Sequence, residues 1–213
     1  MAASAALMRV DHLVYATADL ARGIAEVKRL LGIRASLGGQ HRAWGTCNAL
    51  VALGPRSYLE IIAPYPEQGP ISGGRPFGLD EAGPSRLVAW AANGGRPHEI
   101  RDAAAQHGVD LGAIQSGSRQ RPDGAELTWE LTDLRCVVAG GVVPFFIDWG
   151  TSPHPALAAP KGATLVELRV EHPDADRARR MLRVLALDLP VNTGPAPAVI
   201  AKISCPNGCI VLR

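Results

Sequence analysis

Arg-Val-Asp-His-Leu-Val-Tyr-Ala-Thr, residues 9–17, is the stretch that decides the fold. Its alternating residues and polar end predict a β-strand. A helix is predicted next, with Asp19 as its N-cap, Gly32 at its end, and an apolar stripe formed by Ile24, Val27, Leu30 and Leu31. Three strands are predicted after it, at 33–38, 43–52 and 57–63, with a turn at Gly38-Gly39 between the first two.

The same order of elements returns twice along the chain, which indicates an internal repeat. The second copy has a strand at 86–92, a helix at 97–107, a loop at 116–124, and strands at 125–131, 136–139 and 143–149. The third has a strand at 164–171, a helix from Asp174, and strands at 198–204 and 209–212. We therefore predict an α+β fold of repeated βαβββ modules at 9–64, 85–150 and, as a partial copy, 163–213. A linker or lid rich in proline and glycine, 65–84, separates the first two modules.

Composition excludes several classes of function. The 213 residues carry 22 Lys plus Arg against 20 Asp plus Glu, and this near-zero balance argues against a nucleic-acid partner. No apolar run reaches the roughly 18 residues that a membrane span needs, so no membrane partner is expected. The start of the chain lacks the features of a signal peptide, and we expect a cytoplasmic protein. No phosphate-binding glycine pattern follows a strand, so no nucleotide cofactor is expected.

Strand parity predicts a candidate site. His12 shares a face of the first strand with Val10 and Val14, and Glu60 shares a face of a later strand with Tyr58 and Ile62. If both face the concave side of the sheet, an imidazole and a carboxylate converge, a pairing that suits a first-row divalent ion. Alternatively, Glu60 pairs with an arginine and His12 bonds a backbone group.

These residues also carry a resemblance to a known family. Val-Asp-His-Leu-Val-Tyr-Ala-Thr-Ala-Asp-Leu (10–20) and Tyr-Leu-Glu-Ile-Ile-Ala (58–63) resemble the vicinal oxygen chelate superfamily. Gly-Gly-Gln-His-Arg-Ala-Trp-Gly-Thr-Cys-Asn-Ala-Leu (38–50) is similar to the glyoxalase-like domain family within it. The resemblance implies that two modules pair into a cup of strands with helices outside, and that the cup holds one divalent metal (Zn, Ni, Mn or Fe).

By position, the resemblance makes His12 and Glu60 metal ligands, with Asp148 as a third candidate. The second module departs from the pattern, because its first strand carries Trp90 and no histidine. His41 is therefore a candidate for a missing nitrogen ligand or, with Glu60, for catalytic acid–base work, unless it is a surface residue in a turn.

Further residues suit a small-molecule cup. Trp44, Trp90, Phe146 and Trp149 are candidates for packing an apolar substrate, although core packing explains them equally well. Thr46 and Asn48 share one strand face and could orient a carbonyl or hydroxyl group. Arg75 of the linker could reach an anionic group or lie exposed in its loop.

Three functions follow from this pattern. The first is a metal-dependent enzyme, either a lyase or isomerase of the glyoxalase type or a dioxygenase. The second is a metal-free protein that binds a small molecule, as drug-resistance members of the superfamily do. The third is a structural homodimer with the third module as its interface, and a homodimer is expected in the first two cases as well.

Overall fold

Two βαβββ units form one barrel-shaped cup in the computed structural model, which describes residues 7–81, 83–120, 124 and 126–213. The first unit comprises β1 (Val10–Ala16), α1 (Leu20–Leu31), β2 (Ser36–His41), β3 (Thr46–Gly54) and β4 (Ser57–Pro64). The second comprises β5 (Arg86–Ala92), α2 (Pro97–Ala105), β6 (Ile114–Gln120), β7 (Glu126–Thr132) and β8 (Phe145–Asp148). The strand order around the cup is β1-β4-β3-β2-β6-β7-β8-β5.

Helix α1 begins and ends where the sequence predicts. The carboxylate of Asp19 accepts a hydrogen bond of 2.7 Å from the backbone nitrogen of Arg22, and Gly32 ends the helix with a φ of 73°. Val27 and Leu31 of the helix pack in one cluster with Leu13 of β1. The helix therefore covers the outer face of the cup, and the inner face carries polar, aromatic and some aliphatic side chains. The predicted α+β cup with outside helices is confirmed.

The units are joined differently on the two sides of the cup. Strands β1 and β5 pair along most of their length, whereas β2 and β6 are bridged by one residue pair, Gln40 and Gln120. Between the units, the 3-10 turn Pro76–Gly78 lies over the cup. No helix of the described ranges is long and apolar enough to cross a bilayer.

The C-terminal unit repeats the order of elements but not the strand order. It contains β9 (Thr164–His172), α3 (Ala175–Val184), β10 (Val191–Thr193), β11 (Ala198–Cys205) and β12 (Gly208–Leu212). Its four-stranded sheet runs β10-β9-β11-β12, so β9 lies beside the next strand, whereas β1 lies beside the last strand of its own unit. Leu168 and Val170 share the apolar cluster of the outer cup face, so the C-terminal unit packs on its own chain.

Three local predictions were wrong. Gly38 and Gly39 lie inside β2 and do not form a turn. Residues 116–120 of the predicted loop belong to β6, while 121–123 lie outside the described residues. The predicted strand at 136–139 overlaps a 3-10 turn, Val138–Gly141, because Ala139 and the two glycines after it adopt left-handed backbone angles.

Candidate active site

A β-bulge in β1 places two neighbouring side chains in one polar network. Val10 pairs with Ala92 and His12 with Ala91, so Asp11 is the extra residue of the bulge. Although adjacent residues of a strand normally face opposite sides, His12 Nδ1 lies 2.8 Å from Asp11 Oδ1. Both side chains are buried. Burial opposes ionisation, but hydrogen bonds from two histidines outweigh it and lower the pKa of Asp11 to about 2.

The other ring nitrogen of His12 faces Glu60. His12 Nε2 lies 3.7 Å from Glu60 Oε2, and Glu60 Oε1 accepts a hydrogen bond of 2.5 Å from the Asn48 amide. The oxygen of that amide accepts a hydrogen bond of 3.0 Å from Arg119 Nη1. Strands β1, β4, β3 and β6 therefore build a row of polar groups that leads from His12 to Arg119. A gap of 3.7 Å between His12 and Glu60 is too long for a direct hydrogen bond.

His41 lies beside this row, at the end of β2. Its Nδ1 is 3.0 Å from the Thr46 hydroxyl, and its Nε2 is 3.4 Å from the Asn48 amide nitrogen. Burial lowers the pKa of His41 to about 4, with further lowering by the charges of Arg119 and His12 against an opposite effect of Glu60. His41 is therefore a neutral imidazole at neutral pH and acts there as a hydrogen-bonding group, not as an imidazolium acid.

Aromatic side chains enclose the space next to the polar row. The cavity has a volume of about 30 Å³, room for one or two water molecules. Its aromatic walls are Trp44, Tyr58, Phe77, Trp129, Phe145 and Trp149. The ring of Phe77 comes from the 3-10 turn of the linker and lies 5.9 Å from the ring of Phe145. The turn therefore forms one wall of the cavity.

The structure brings together most of the predicted site residues. His12, His41, Trp44, Thr46, Asn48, Glu60 and Trp149 all line the cavity. Trp149 has a second contact, since its indole nitrogen donates to Asp11 Oδ2 at 3.1 Å.

Four predicted site residues lie elsewhere. Trp90 is opposite Leu13 on the outer face of the cup, where its indole nitrogen donates to the Val142 carbonyl. Phe146 also packs in the outer core, because Phe145 and Ile147 take the inward positions of β8. Asp148 shares the parity of Phe146, faces an open groove, and accepts a hydrogen bond from the Gly150 backbone nitrogen.

Arg75 is the fourth displaced residue. Its guanidinium donates to the carbonyl oxygens of Gly45, Gln68 and Gly69 and forms an ion pair of 2.7 Å with Asp80. These bonds hold the linker in its folded path over the cup. Arg75 therefore lies in the linker, as in the alternative of a loop arginine, and its contact with a substrate anion stays a prediction.

Comparison with known proteins identifies the family. A model of the glyoxalase-like domain matches residues 10–186. The chain belongs to the glyoxalase-like domain family. A hypothetical protein from Staphylococcus aureus has a similar structure, with a TM-score of 0.66 and 17% identity over 95% of this chain and 83% of that chain. Methylmalonyl-CoA epimerase from Mycobacterium tuberculosis gives a TM-score of 0.45 and 22% identity over 74% and 96% of the two chains. No curated protein matches.

The vicinal oxygen chelate superfamily, which the sequence resembles, commonly holds a divalent metal, and the donor set of this glyoxalase-like cup bears on whether a metal fits here. A catalytic metal takes about three protein ligands and keeps one open position. His12 and Glu60 are two such donors, but Asp148 faces away. The described second-unit side chains that line the cup are apolar or aromatic, apart from the cationic Arg119, and none of them is a metal donor. In the described parts of the chain, no three His, Cys, Asp or Glu side chains are grouped to hold a metal. The residues present do not fit a three-ligand metal centre.

Several residues of this glyoxalase-like site escaped the sequence prediction. Asp11 carries the same signal as Glu60, a carboxylate in an apolar strand whose burial demands a partner. Arg119 was hidden in the predicted loop, and Trp129 was not singled out in its strand. His154 reaches Asp11 from the segment after β8, at 3.2 Å, and no pattern in the sequence indicates that contact.

Proposed function

We propose that the protein is a metal-independent enzyme that moves a proton on a small carbonyl compound, as an isomerase or a lyase. The proposal rests on the buried His12–Glu60 pair, which faces an aromatic cavity. A hydrogen bond with Asp11 fixes His12, and a hydrogen bond from Asn48 fixes Glu60. Paired acid–base groups within reach of one reacting atom are what proton transfer to and from carbon requires. Both groups sit on strands, so their positions are fixed before a substrate arrives.

The roles follow from the contacts. Glu60, with one oxygen bonded to Asn48, has its other oxygen directed to the space before His12. We assign the carboxylate of Glu60 to removal of a proton from the carbon next to a carbonyl group. His12 Nε2, which carries no proton at the start, takes up that proton from Glu60 and returns it to the substrate, so both groups regain their starting states and the proton count of the substrate is unchanged. We assign the hydroxyl of Thr46 to orientation of the carbonyl oxygen, since the amide of Asn48 already contacts Glu60 and His41.

The size of the cup restricts the substrate. A cavity of about 30 Å³ is too small for a whole organic molecule, but it shares Asn48, Trp129 and Trp149 with a larger open groove, so only the reacting part of a substrate needs to enter it. The flat walls offered by Trp44, Trp129 and Trp149 favour a substrate with an apolar or aromatic part beside the reacting carbon.

The test is deuterium exchange, because it needs no knowledge of the product. The full chain is incubated in D₂O with a panel of 2-oxo acids, hydroxyketones and aryl ketones, and the signal of the hydrogen next to the carbonyl is followed by proton NMR. Glu60→Gln should lower the exchange rate at least about 100-fold. Glu130→Gln is the matched control, since Glu130 forms a similar pair of 3.9 Å with His98 on the surface, and it should leave the rate unchanged.

The same experiment separates the alternatives. Exchange that disappears with a chelator and returns with Zn, Ni, Mn or Fe would overturn the metal-independent reading. Quenching of tryptophan fluorescence by panel compounds without any exchange would favour the second candidate, a binding or resistance protein. The stacked indoles of Trp44 and Trp129, 6.2 Å apart, are the observation that supports this candidate. A homodimer and a cytoplasmic location stay predictions, and sedimentation of the purified chain tests the first.

A further inference from the structure

Asp11 is the most completely enclosed carboxylate next to the proposed catalytic pair. It is fully buried, yet three side chains donate to it or lie within donating distance. They are His12 Nδ1 at 2.8 Å, Trp149 Nε1 at 3.1 Å and His154 Nε2 at 3.2 Å. The last two come from the end of the second unit and the segment that follows it, so both units and this segment meet at one carboxylate.

The position of the proton on His154 can be worked out from its other contact. The backbone nitrogen of Ala156 donates to His154 Nδ1 at 3.2 Å, so Nδ1 is an acceptor and carries no proton. A neutral His154 then carries its proton on Nε2, the atom that faces Asp11 Oδ2. The indole nitrogen of Trp149 is a donor only. Two N–H groups therefore point at the carboxylate from the side opposite His12.

The contact with Asp11 determines which ring nitrogen of His12 carries the proton. An ionised carboxylate has only acceptor atoms. A separation of 2.8 Å between Asp11 Oδ1 and His12 Nδ1 is a hydrogen bond if Nδ1 carries a proton, and a repulsive contact between lone pairs if it does not. Nδ1 is thus protonated, and Nε2 is the atom left to exchange a proton in the cavity.

We propose that Asp11 and His154 are positioning residues that hold His12 in the Nδ1–H tautomer and direct its Nε2 to the substrate. Neither residue contacts the cavity in this arrangement; both act through His12. The inference rests on the proposed function for its catalytic meaning, but the tautomer itself exists without any substrate. The positioning role also assigns a function to the segment after β8, because that segment supplies His154.

The test reads the tautomer directly. Two-bond ¹H–¹⁵N correlation spectra of the uniformly ¹⁵N-labelled chain show which ring nitrogen of each histidine carries the proton, and His12→Gln assigns the His12 signals. In the wild type, we expect His12 to be protonated on Nδ1. A wild-type protein with the proton on Nε2 alone would overturn the proposal without any variant.

Variants then test each positioning residue. In Asp11→Asn, the donors of Trp149 and His154 bind the amide oxygen, so the amide NH₂ turns to His12 and the proton of His12 moves to Nε2. In His154→Phe, one of the two outer donors is lost, and we expect His12 to divide between the two tautomers. His154→Gln keeps an N–H group near the Nε2 position and should restore the single tautomer. If Asp11→Asn or His154→Phe keeps the wild-type signals, that residue does not position His12.

Activity distinguishes this inference from the proposed function. For a compound that exchanges, Asp11→Asn should lower kcat about 100-fold or more with little change in KM, because the wrong tautomer faces the substrate. A correct tautomer in a protein that exchanges no compound would refute the proposed function and leave the positioning role intact. Exchange that survives the tautomer change at the wild-type rate would refute the positioning role in catalysis.

Discussion

Replacing His41 with glutamine should make the protein less sensitive to mild acid. Burial lowers the pKa of His41 to about 4 in the folded state, while an unfolded chain has a value near 6.5. Between these values the unfolded state binds a proton that the folded state does not bind. The contribution of His41 to the free energy of unfolding is therefore fully present above pH 6.5 and is lost as the pH drops towards 4. The two pKa values predict a loss of about 2 kcal/mol between pH 7.5 and pH 5.0 from this residue alone. His41→Gln cannot bind that proton and should lack this part of the loss.

Urea unfolding at the two pH values, followed by tryptophan fluorescence, measures the effect. The quantity that matters is the difference between wild type and variant in their loss of unfolding free energy, because other titrating groups contribute equally to both. His107→Gln is the matched control, since His107 is exposed just after α2, and it should keep the wild-type loss. Equal losses in wild type and His41→Gln would refute the argument and show that His41 is hydrated in the folded protein.

Four further outcomes are expected. A Cβ on Gly117 would lie 2.4 Å from the ring of Trp129, so Gly117→Ala should cost about 1–3 kcal/mol of unfolding free energy, whereas Gly69→Ala, in open space, should melt as the wild type does. Arg75→Ala removes the bonds that hold the linker and should speed its cleavage by chymotrypsin; an unchanged rate would mean that other contacts hold it. The pKa of Asp11, about 2, predicts that the wild type loses about 1 kcal/mol more than Asp11→Asn between pH 5 and pH 3, and parallel curves would contradict this. Elemental mass spectrometry should find far less than one divalent metal per chain, and one equivalent would overturn the donor-set argument.

Local interactions explain which parts of the fold could be predicted. Helix α1 was placed between Asp19 and Gly32 because both caps act within a few residues of the helix end. Strand β6 was missed because Ile-Gln-Ser-Gly-Ser-Arg-Gln lacks apolar alternation: its inward positions include Gly117, whose space is filled by the ring of Trp129. The strand order of the C-terminal unit depends on packing against the cup, which no local pattern encodes.

In the candidate site, too, the residues that follow local strand alternation could be predicted, and those that depend on strand pairing could not. Alternation along β1, β3 and β4 assigned His12, Asn48 and Glu60 each to a strand face, because residues two apart share a face, and all three side chains line one cavity; their roles stay predictions. Asp11 broke that rule through a bulge, which is a property of the pairing between β1 and β5. Trp90 and Phe146 were chosen for their size without a parity argument, and the strand pairing places both outside the cup.

Charge balance in the cup compensates for the burial of the Glu60 carboxylate. A buried carboxylate is unfavourable unless hydrogen bonds and opposite charge compensate for its lost hydration. A divalent metal would do this, but here the compensation runs through Asn48, whose amide donates to Glu60 while its oxygen accepts from the Arg119 guanidinium. The second unit therefore contributes the fixed positive charge of Arg119. A metal-binding relative would need metal ligands from that unit instead. In the proposed reaction, Glu60 passes its proton to Nε2 of His12, and the proposed positioning by Asp11 keeps that nitrogen free to accept it.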